Sequence, residues 1–233
     1  MPFLNKDLKA PMILTIGARN SPLSLAQVRE ILLKIRTEYP YINFDPLYIS
    51  VKGDKDLQTS LRSLDKSDFF TKEIDELVLS GRCRIGIHSA KDLPSPLPKG
   101  LTLVCLTPSI DPSDSLVLRE GLTLKNLPKG AIIATSSIRR EKIVEELGVD
   151  VRFIDLRGTI HQRLEKLNTG DADGVVVAEA ALIRLGLTHL NRFKLPGSTV
   201  EGQGQLAVTA MESDREMREL FAFMSILPSP AWN

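Results

Sequence analysis

The sequence predicts an α/β protein of two domains with a cleft between them. Short apolar runs alternate with segments of helical periodicity, as in parallel sheets with crossover helices. Two segments interrupt this alternation: residues 108–115 are rich in Pro, Ser and Asp, and residues 200–204 contain two glycines. At 233 residues, the chain is long enough for two modest cores. We therefore expect one domain from residues 1–107 and 205–233, and a second from residues 108–204, with the two crossings as a hinge.

The elements of the first domain follow from apolar spacing. The helix that begins at about Pro22 should bury Leu25, Val28, Leu32 and Ile35, and a proline suits its first turn because the missing N–H has no partner there. The pattern predicts strands at residues 12–17, 47–51, 84–88, 101–106 and 206–209, a helix from residue 71 to a C-cap at residue 81, and a last helix over 214–226.

The second domain repeats this alternation in a shorter form. Either Ser136 or Ser137 is expected to cap a helix that runs to Gly148. The pattern predicts strands at residues 131–134, 151–154 and 174–178, and further helices at residues 159–167 and 179–185.

Composition excludes several classes of protein. A net charge of +1 gives no overall field for nucleic acid or membrane, and no apolar run approaches the roughly 20 residues that span a bilayer. The first seven residues carry no signal pattern, which predicts a cytoplasmic protein. Cys83 and Cys105 are too few for a disulfide framework or a zinc cluster, and their apolar contexts predict buried, reduced thiols. No paired His or Cys spacing indicates a metal.

Arginines recur where predicted strands end. The carboxyl ends of parallel strands share one edge of a sheet, so these side chains are expected to converge on one crevice. Guanidinium groups bind carboxylates through two parallel hydrogen bonds, which predicts a ligand with several carboxylates. The alternative is that each is a solvated surface charge paired with a neighbouring acid. The arginines are Arg139 and Arg140 in the first turn of a helix, Arg157, Arg163 and Arg184 further on, and Arg19 in the first domain.

The segment from His88 to Pro94 is a second candidate site. Lys91 and Asp92 directly follow a strand and precede prolines that stiffen the loop, which would place them at the cleft. The alternative is a solvated turn. His88 ends a buried strand, and we expect a hydrogen-bonded role in the core rather than catalysis.

Taken together, eight segments resemble the porphobilinogen deaminase (hydroxymethylbilane synthase) family in their order and spacing. Each alone is weak, and their joint order is specific. The segments are Ile16–Leu23, Gly53–Lys55, Phe70–Glu73, His88–Pro94, Thr135–Arg140, Leu156–Gly158, Arg184–Leu187 and Gly202–Gly204.

The resemblance implies a fold, an activity and a cofactor. Enzymes of this family have two periplasmic-binding-protein-like (type II) α/β domains and a small third domain. They join four porphobilinogen molecules head to tail, release ammonia each time, and form hydroxymethylbilane for tetrapyrrole and haem biosynthesis. A dipyrromethane cofactor, bound through a thioether to a cysteine of the third domain, primes the reaction. The resemblance thus implies a monomeric transferase whose partner is porphobilinogen, and not nucleic acid or a membrane.

The resemblance also implies roles for individual residues. Asp92 matches the catalytic aspartate, which would stabilise the cation left when ammonia departs. Lys91 would hold a carboxylate of the substrate or cofactor, and Gln203 would act at the hinge. The matching arginines would bind acetate and propionate side chains, and four hydroxyl residues would add donors. These are Arg19, Arg139, Arg140, Arg157, Arg163 and Arg184, with Ser21, Thr135, Ser136 and Ser137.

The sequence departs from the family pattern in three places. Residues 65–69 are acidic where the family carries a glycine-rich loop with lysine, and the crossing at residues 109–114 lacks both arginines of the family motif. The chain ends at Asn233, near the expected start of the third domain, and no cysteine follows Cys105. We therefore expect the third domain and the cofactor-attachment cysteine to be absent. A non-catalytic pyrrole- or polycarboxylate-binding protein with the same fold is the alternative.

Overall fold

The computed structural model describes residues 11–56 and 68–227, which form two five-stranded sheets. The first sheet has the order β2-β1-β3-β10-β4 and the second the order β7-β6-β8-β5-β9. The strands of the first sheet are β1 (Met12–Arg19), β2 (Ile42–Ile49), β3 (Ile85–Ser89), β4 (Leu101–Leu106) and β10 (Leu206–Met211). Those of the second are β5 (Asp114–Leu118), β6 (Ala131–Ala134), β7 (Val151–Ile154), β8 (Gly174–Ala178) and β9 (Arg192–Lys194).

Seven helices accompany these strands in the described part of the chain. We call the first sheet with its helices lobe 1 and the second sheet with its helices lobe 2. Lobe 1 contains α1 (Pro22–Glu38), α2 (Lys52–Lys55), α3 (Lys72–Leu79) and α7 (Arg215–Phe221). Lobe 2 contains α4 (Ile138–Glu145), α5 (Ile160–Asn168) and α6 (Glu179–Arg184). None of the helices in these ranges is long and apolar enough to cross a membrane.

Both sheets are mixed, so the prediction of parallel sheets is wrong. β10 runs antiparallel to β3 and β4, and β5 runs antiparallel to β8 and β9. β5 and β10 each enter their sheet directly from the other lobe. A strand entered in this way needs no crossover helix, so it is not constrained to be parallel to its neighbour.

Helix α1 buries Val28 and Ile35, as predicted, but the buried face of its first half differs from the predicted one. Leu25 is 39% exposed, whereas Ser24 and Gln27 are buried together with Ile31 and Ile35. Apolar spacing missed this face because the first half of the helix lines a polar cavity, and the buried side chains there are polar.

Several predicted boundaries also shift. Strand β2 begins five residues earlier than predicted and tolerates Pro46 because it is an edge strand. Strands β5 and β9 and the one-turn helix α2 were not predicted, since β5 begins with polar Asp114 and Ser115 inside the expected crossing. Helix α7 ends at Phe221 and continues as a 3-10 turn over Ala222–Met224. Residues 1–7 and 65–67, on which two predictions depended, lie outside the described residues.

Candidate functional site

A cavity of about 590 Å³ lies between the lobes and is lined by residues from both. Its lining carries six Lys and Arg side chains and two carboxylates, so the cavity is strongly cationic. The cations are Arg19 and Lys91 from lobe 1 and Arg139, Arg140, Arg157 and Arg163 from lobe 2, and the carboxylates are Asp54 and Asp92 from lobe 1.

The Lys91–Asp92 turn stands directly at the end of β3. The strand ends at Ser89, and a 3-10 turn over Ala90–Asp92 carries both side chains to the cavity. Gly202 packs against the back of this turn with φ of +76°, and a Cβ at this position would lie 2.9 Å from the backbone nitrogen of Lys91. Only glycine therefore allows the second crossing to support the turn so closely.

Asp92 accepts no hydrogen bond from any described residue. Its nearest cation is Arg19, whose Nη1 lies 3.9 Å from Asp92 Oδ2. Arg19 pairs more closely with Asp54, through Nη2 to Oδ1 and through Nε to Oδ2 at 3.4 Å. Because Asp54 takes the main contact with Arg19, the Asp92 oxygens are available to a ligand.

Lys91 forms no ion pair with the described residues. Burial, with Arg140 nearby, lowers its pKa to about 8, although Asp92 and Asp114 oppose the shift. The amine is therefore mostly charged at neutral pH and loses its charge as the pH rises through about 8, and an anion bound beside it favours the charged form.

Asp114 forms ion pairs with two arginines of the cavity lining, which we call the arginine wall (Arg139, Arg140, Arg157 and Arg163). Its Oδ2 pairs with Arg139 Nη2 at 2.6 Å, and its Oδ1 pairs with Arg140 Nη2 at 2.6 Å. Gln203 Nε2 donates to the same Oδ1 at 3.0 Å. Burial alone would raise the pKa of Asp114, but Arg140 and Arg139 outweigh it and hold the pKa below its ordinary value. The Nε atoms of both arginines remain buried without a partner, so each still has a donor to offer.

Arg163 and Arg157 pair with no carboxylate among the described residues. Arg163 donates its Nε to the Gly158 carbonyl at 2.8 Å, and burial, with Arg140 and Arg157 nearby, lowers its pKa to about 10. Arg157 reaches lobe 1, where its Nη2 donates to the carbonyls of Gly53 and Asp56. Its Nε and Nη1 are buried and have no partner. Clustered guanidinium groups with unused donors are the arrangement that an anionic ligand would complete.

Arg184 and Thr135 do not line the cavity. Arg184 joins the lobes instead, because its Nε bonds Glu30 Oε2 of α1 at 2.8 Å and its Nη2 bonds the Gly204 carbonyl at 3.0 Å. Thr135 is fully buried, and its hydroxyl accepts a hydrogen bond from the Ser137 N–H.

The other predicted polar residues do line the cavity, but each also has a structural role within the protein. Ser21 caps α1 by accepting from the Ser24 N–H, and Ser136 Oγ bridges the N–H and C=O of Leu156. Ser137 is the N-cap residue of α4. Gln203 donates to the Pro112 carbonyl, and its Oε1 is buried without a partner.

Sequence reasoning missed the two residues that arrange the arginines, Asp114 and Asp54. The only available signal for Asp114 was its position inside the expected crossing at residues 108–115, next to a predicted cleft lined with cations. It also missed Phe70, whose ring lies 4.6 Å from the guanidinium carbon of Arg19. Phe70 follows the acidic segment, and an aromatic residue there carries no distinguishing spacing.

Both cysteines are free and buried in lobe 1, as predicted, and neither lines the cavity.

Two α/β lobes around a cationic cavity define the class of protein: a two-lobed binding fold with a site for anions. Solved structures confirm the predicted type II fold. The chain is similar to the effector-binding domain of BenM with its effector benzoate (TM-score 0.53, 12% identity, 97% of this chain and 99% of that one). It is also similar to a periplasmic substrate-binding protein of an ABC transporter from Coxiella burnetii (TM-score 0.55, 14% identity, 91% of each chain). At these identities, the likeness shows the fold alone.

Sequence comparison identifies the family. Residues 14–219 match the model of the porphobilinogen deaminase, dipyromethane cofactor binding domain. The chain is 35% identical over 221 residues to the porphobilinogen deaminase of Gloeobacter violaceus, covering 92% of this chain and 67% of that protein. It is 36% identical to the probable porphobilinogen deaminase of Chlamydia pneumoniae and 39% identical to that of Chlamydia trachomatis, covering 94% of this chain and 93% and 90% of those proteins. The chain belongs to the porphobilinogen deaminase family, which confirms the predicted family.

Proposed function

We propose that this protein is a hydroxymethylbilane synthase, a transferase that condenses four porphobilinogen molecules with release of ammonia in tetrapyrrole and haem biosynthesis. Membership of the family confirms this predicted activity and the predicted dipyrromethane cofactor. One observation carries the proposal at the level of residues: Asp92, the lining carboxylate that accepts no hydrogen bond from the described residues, shares one interlobe cavity with a group of arginines.

The residues present fit the cofactor. A dipyrromethane bears carboxylate side chains, and the buried, unpartnered nitrogens of Arg139, Arg140 and Arg157 are donors for them, with Lys91 and Arg163 as further cations. Each charge-assisted hydrogen bond contributes about 1.5–3 kcal/mol. When bound, the cofactor supplies the pyrrole to which the first substrate is joined.

Asp92 is proposed as the catalytic residue. Departure of ammonia from the aminomethyl group leaves an electron-poor, positively charged pyrrole. The Asp92 carboxylate accepts a hydrogen bond from the pyrrole N–H and stabilises this charge. The arginines of lobe 2 orient the substrate by binding the substrate's carboxylates, which keeps the reacting carbon beside Asp92. Arg19 lies close enough to fix Asp92 without neutralising it.

Ionic contacts, rather than a thioether, are proposed to hold the cofactor on the residues of this chain. Its two cysteines are Cys83 and Cys105, and both are buried away from the cavity.

The remaining proposals concern organisation and cellular context. We propose domain limits of 1–107 with 205–233 and 108–204, since β10 completes the first sheet and β5–β9 form the second. A monomeric state, a cytoplasmic location and the absence of nucleic-acid or membrane partners also stay predictions.

Incubation of the purified protein with porphobilinogen tests the function, with ammonia measured directly and bilane measured as uroporphyrin absorbance after oxidation. We expect one ammonia for each porphobilinogen consumed. Activity that appears only after addition of dipyrromethane would support noncovalent retention. Binding of porphobilinogen by calorimetry without ammonia release, even after addition of dipyrromethane or preformed bilane, would contradict the proposal and favour a binding protein.

A further inference from the structure

A buried acid lies behind the cavity lining, beside a buried histidine that belongs to the lining, and the proposed reaction uses neither. Asp75 in α3 is 2% exposed, and His88 in β3 is 5% exposed. Asp75 Oδ1 lies 3.9 Å from His88 Nε2. His88 stands in the strand that ends just before Lys91 and Asp92, so a force on its ring acts close to the catalytic turn.

The packing around His88 leaves its ring little freedom. Gly86 precedes it by two residues and therefore faces the same side of the sheet. A Cβ at Gly86 would lie 2.7 Å from His88 Nε2 and 2.8 Å from Thr209 Oγ1, so the ring occupies the space above this glycine. Nε2 is also 3.1 Å from Thr209 Oγ1 in β10. The ring is thus clamped between β10 and α3.

The carboxyl group of Asp75 is unsatisfied. Both of its oxygens are buried and accept no well-formed hydrogen bond from the described residues, and the Thr71 hydroxyl nearby is likewise unpartnered. A buried carboxyl group without donors is stabilised by taking up a proton. Burial raises the pKa of Asp75 to about 6; Thr71 opposes the rise, and Asp68 and Glu76 add to it.

His88 is kept uncharged by its surroundings. Burial, and then the charge of Arg19, lower its pKa to about 4. A neutral imidazole has one N–H donor and one acceptor nitrogen. The protonation of Asp75 therefore decides whether Nε2 of His88 is the donor or the acceptor. A protonated carboxyl group donates to Nε2, whereas an ionised one accepts from Nε2–H. Either hydrogen bond needs the Asp75 carboxyl group to approach His88 Nε2 by about 1 Å.

We propose that Asp75 is a positioning residue for the turn that carries Lys91 and Asp92. It acts through the His88 ring: the location of the proton shared by Asp75 and His88 sets the position of the ring and, through it, the end of β3 from which Lys91 and Asp92 project. The inference rests on the proposed function. His88 and Thr71 both line the cavity, so the pair backs the site directly. Asp75 does not line the cavity, and its effect therefore falls on kcat rather than on KM.

Nuclear magnetic resonance tests the pair without reference to catalysis, because the chain has only three histidines. The imidazole resonances of His88, assigned with His88→Asn, should shift with an inflection near pH 6 without reaching the values of a charged ring. Asp75→Asn should abolish the inflection. Glu76→Gln, a matched change at an exposed position of the same helix, should preserve the inflection and move it only slightly to lower pH, because the Glu76 charge adds to the rise in the pKa of Asp75. A wild-type His88 resonance that stays constant between about pH 5 and 7 would overturn the proposal.

Kinetics tests the positioning. Asp75→Asn should lower kcat at least about tenfold and leave KM for porphobilinogen within about twofold, whereas Asp75→Glu, whose extra methylene spans the gap, should keep kcat within about threefold. Unchanged kcat in Asp75→Asn, or equal losses in both variants, would contradict the proposal. If the wild-type protein releases no ammonia, the proposed function fails, and the resonance titration alone decides whether the pair exists.

Discussion

Lobe 1 and lobe 2 line the same cavity with different chemistry. Lobe 1 contributes Asp54 and Asp92 together with Arg19 and Lys91, whereas lobe 2 contributes four arginines and no carboxylate to the lining. Asp114, which does not line the cavity, pairs with Arg139 and Arg140, whereas Arg163 forms no ion pair with a described carboxylate. From this difference we propose that lobe 1 carries the reaction and lobe 2 holds the ligand.

The largest expected effect is that of Asp92→Asn. The amide keeps the shape of the side chain but cannot stabilise a developing positive charge, so kcat should fall by about 10²–10⁴ while KM stays nearly constant. Steady-state kinetics checks this, with circular dichroism as the test of folding. Near-normal kcat would mean that lobe 1 does not carry the reaction.

Asp114→Ala should be the next largest change, and it is one of stability. Removing a carboxylate that is 1% exposed leaves Arg139 and Arg140 without their shared partner, which costs about 3–5 kcal/mol in free energy of unfolding. Urea denaturation measures the loss. Asp171→Ala, at an exposed site of the same lobe, is the control and should change stability by less than about 0.5 kcal/mol.

Arg157→Ala and Arg163→Ala should raise KM for porphobilinogen about 10- to 100-fold, because each removes a charge-assisted contact. The salt dependence of KM should weaken in the same variants, since one charge fewer is screened. Arg152→Ala removes an exposed arginine outside the cavity of the same lobe and should leave KM unchanged. A KM that does not respond to salt in the wild type would argue against a carboxylate-binding wall.

The smallest expected effect concerns Lys91. Its pKa is lowered to about 8, so the charged fraction falls as pH rises through this value and the affinity for carboxylates should fall with it, by up to about tenfold. Calorimetry with a pyrrole dicarboxylate that lacks the aminomethyl group measures this step without interference from the substrate amine. Lys91→Arg keeps its charge and should remove the step, and Lys91→Met should bind weakly at every pH.

The predictions from sequence succeeded where local pattern and tertiary position agree. Strands β4, β6, β7 and β8 have the predicted limits because each is a short apolar run between turn residues. The arginine hypothesis placed Arg157 and Arg163 correctly in the cleft, since both follow the carboxyl end of β7. Arg184 has the same local signature, yet it faces Glu30 of the other lobe. Arg19, Arg139 and Arg140 do pair with acids, but with Asp54 and Asp114, which are distant from them in the sequence.

The sequence by itself determined the α/β class, the order of most elements and the group of basic residues near strand ends, because these depend on spacing along the chain. Only the tertiary structure decided which basic residues share a cavity, that β5 and β10 run antiparallel to their neighbours, and that Asp114 and Asp75 are buried. These features depend on contacts between residues far apart in sequence. The ionisation and partners of a side chain are set by such contacts, and the residue type at one position does not specify them.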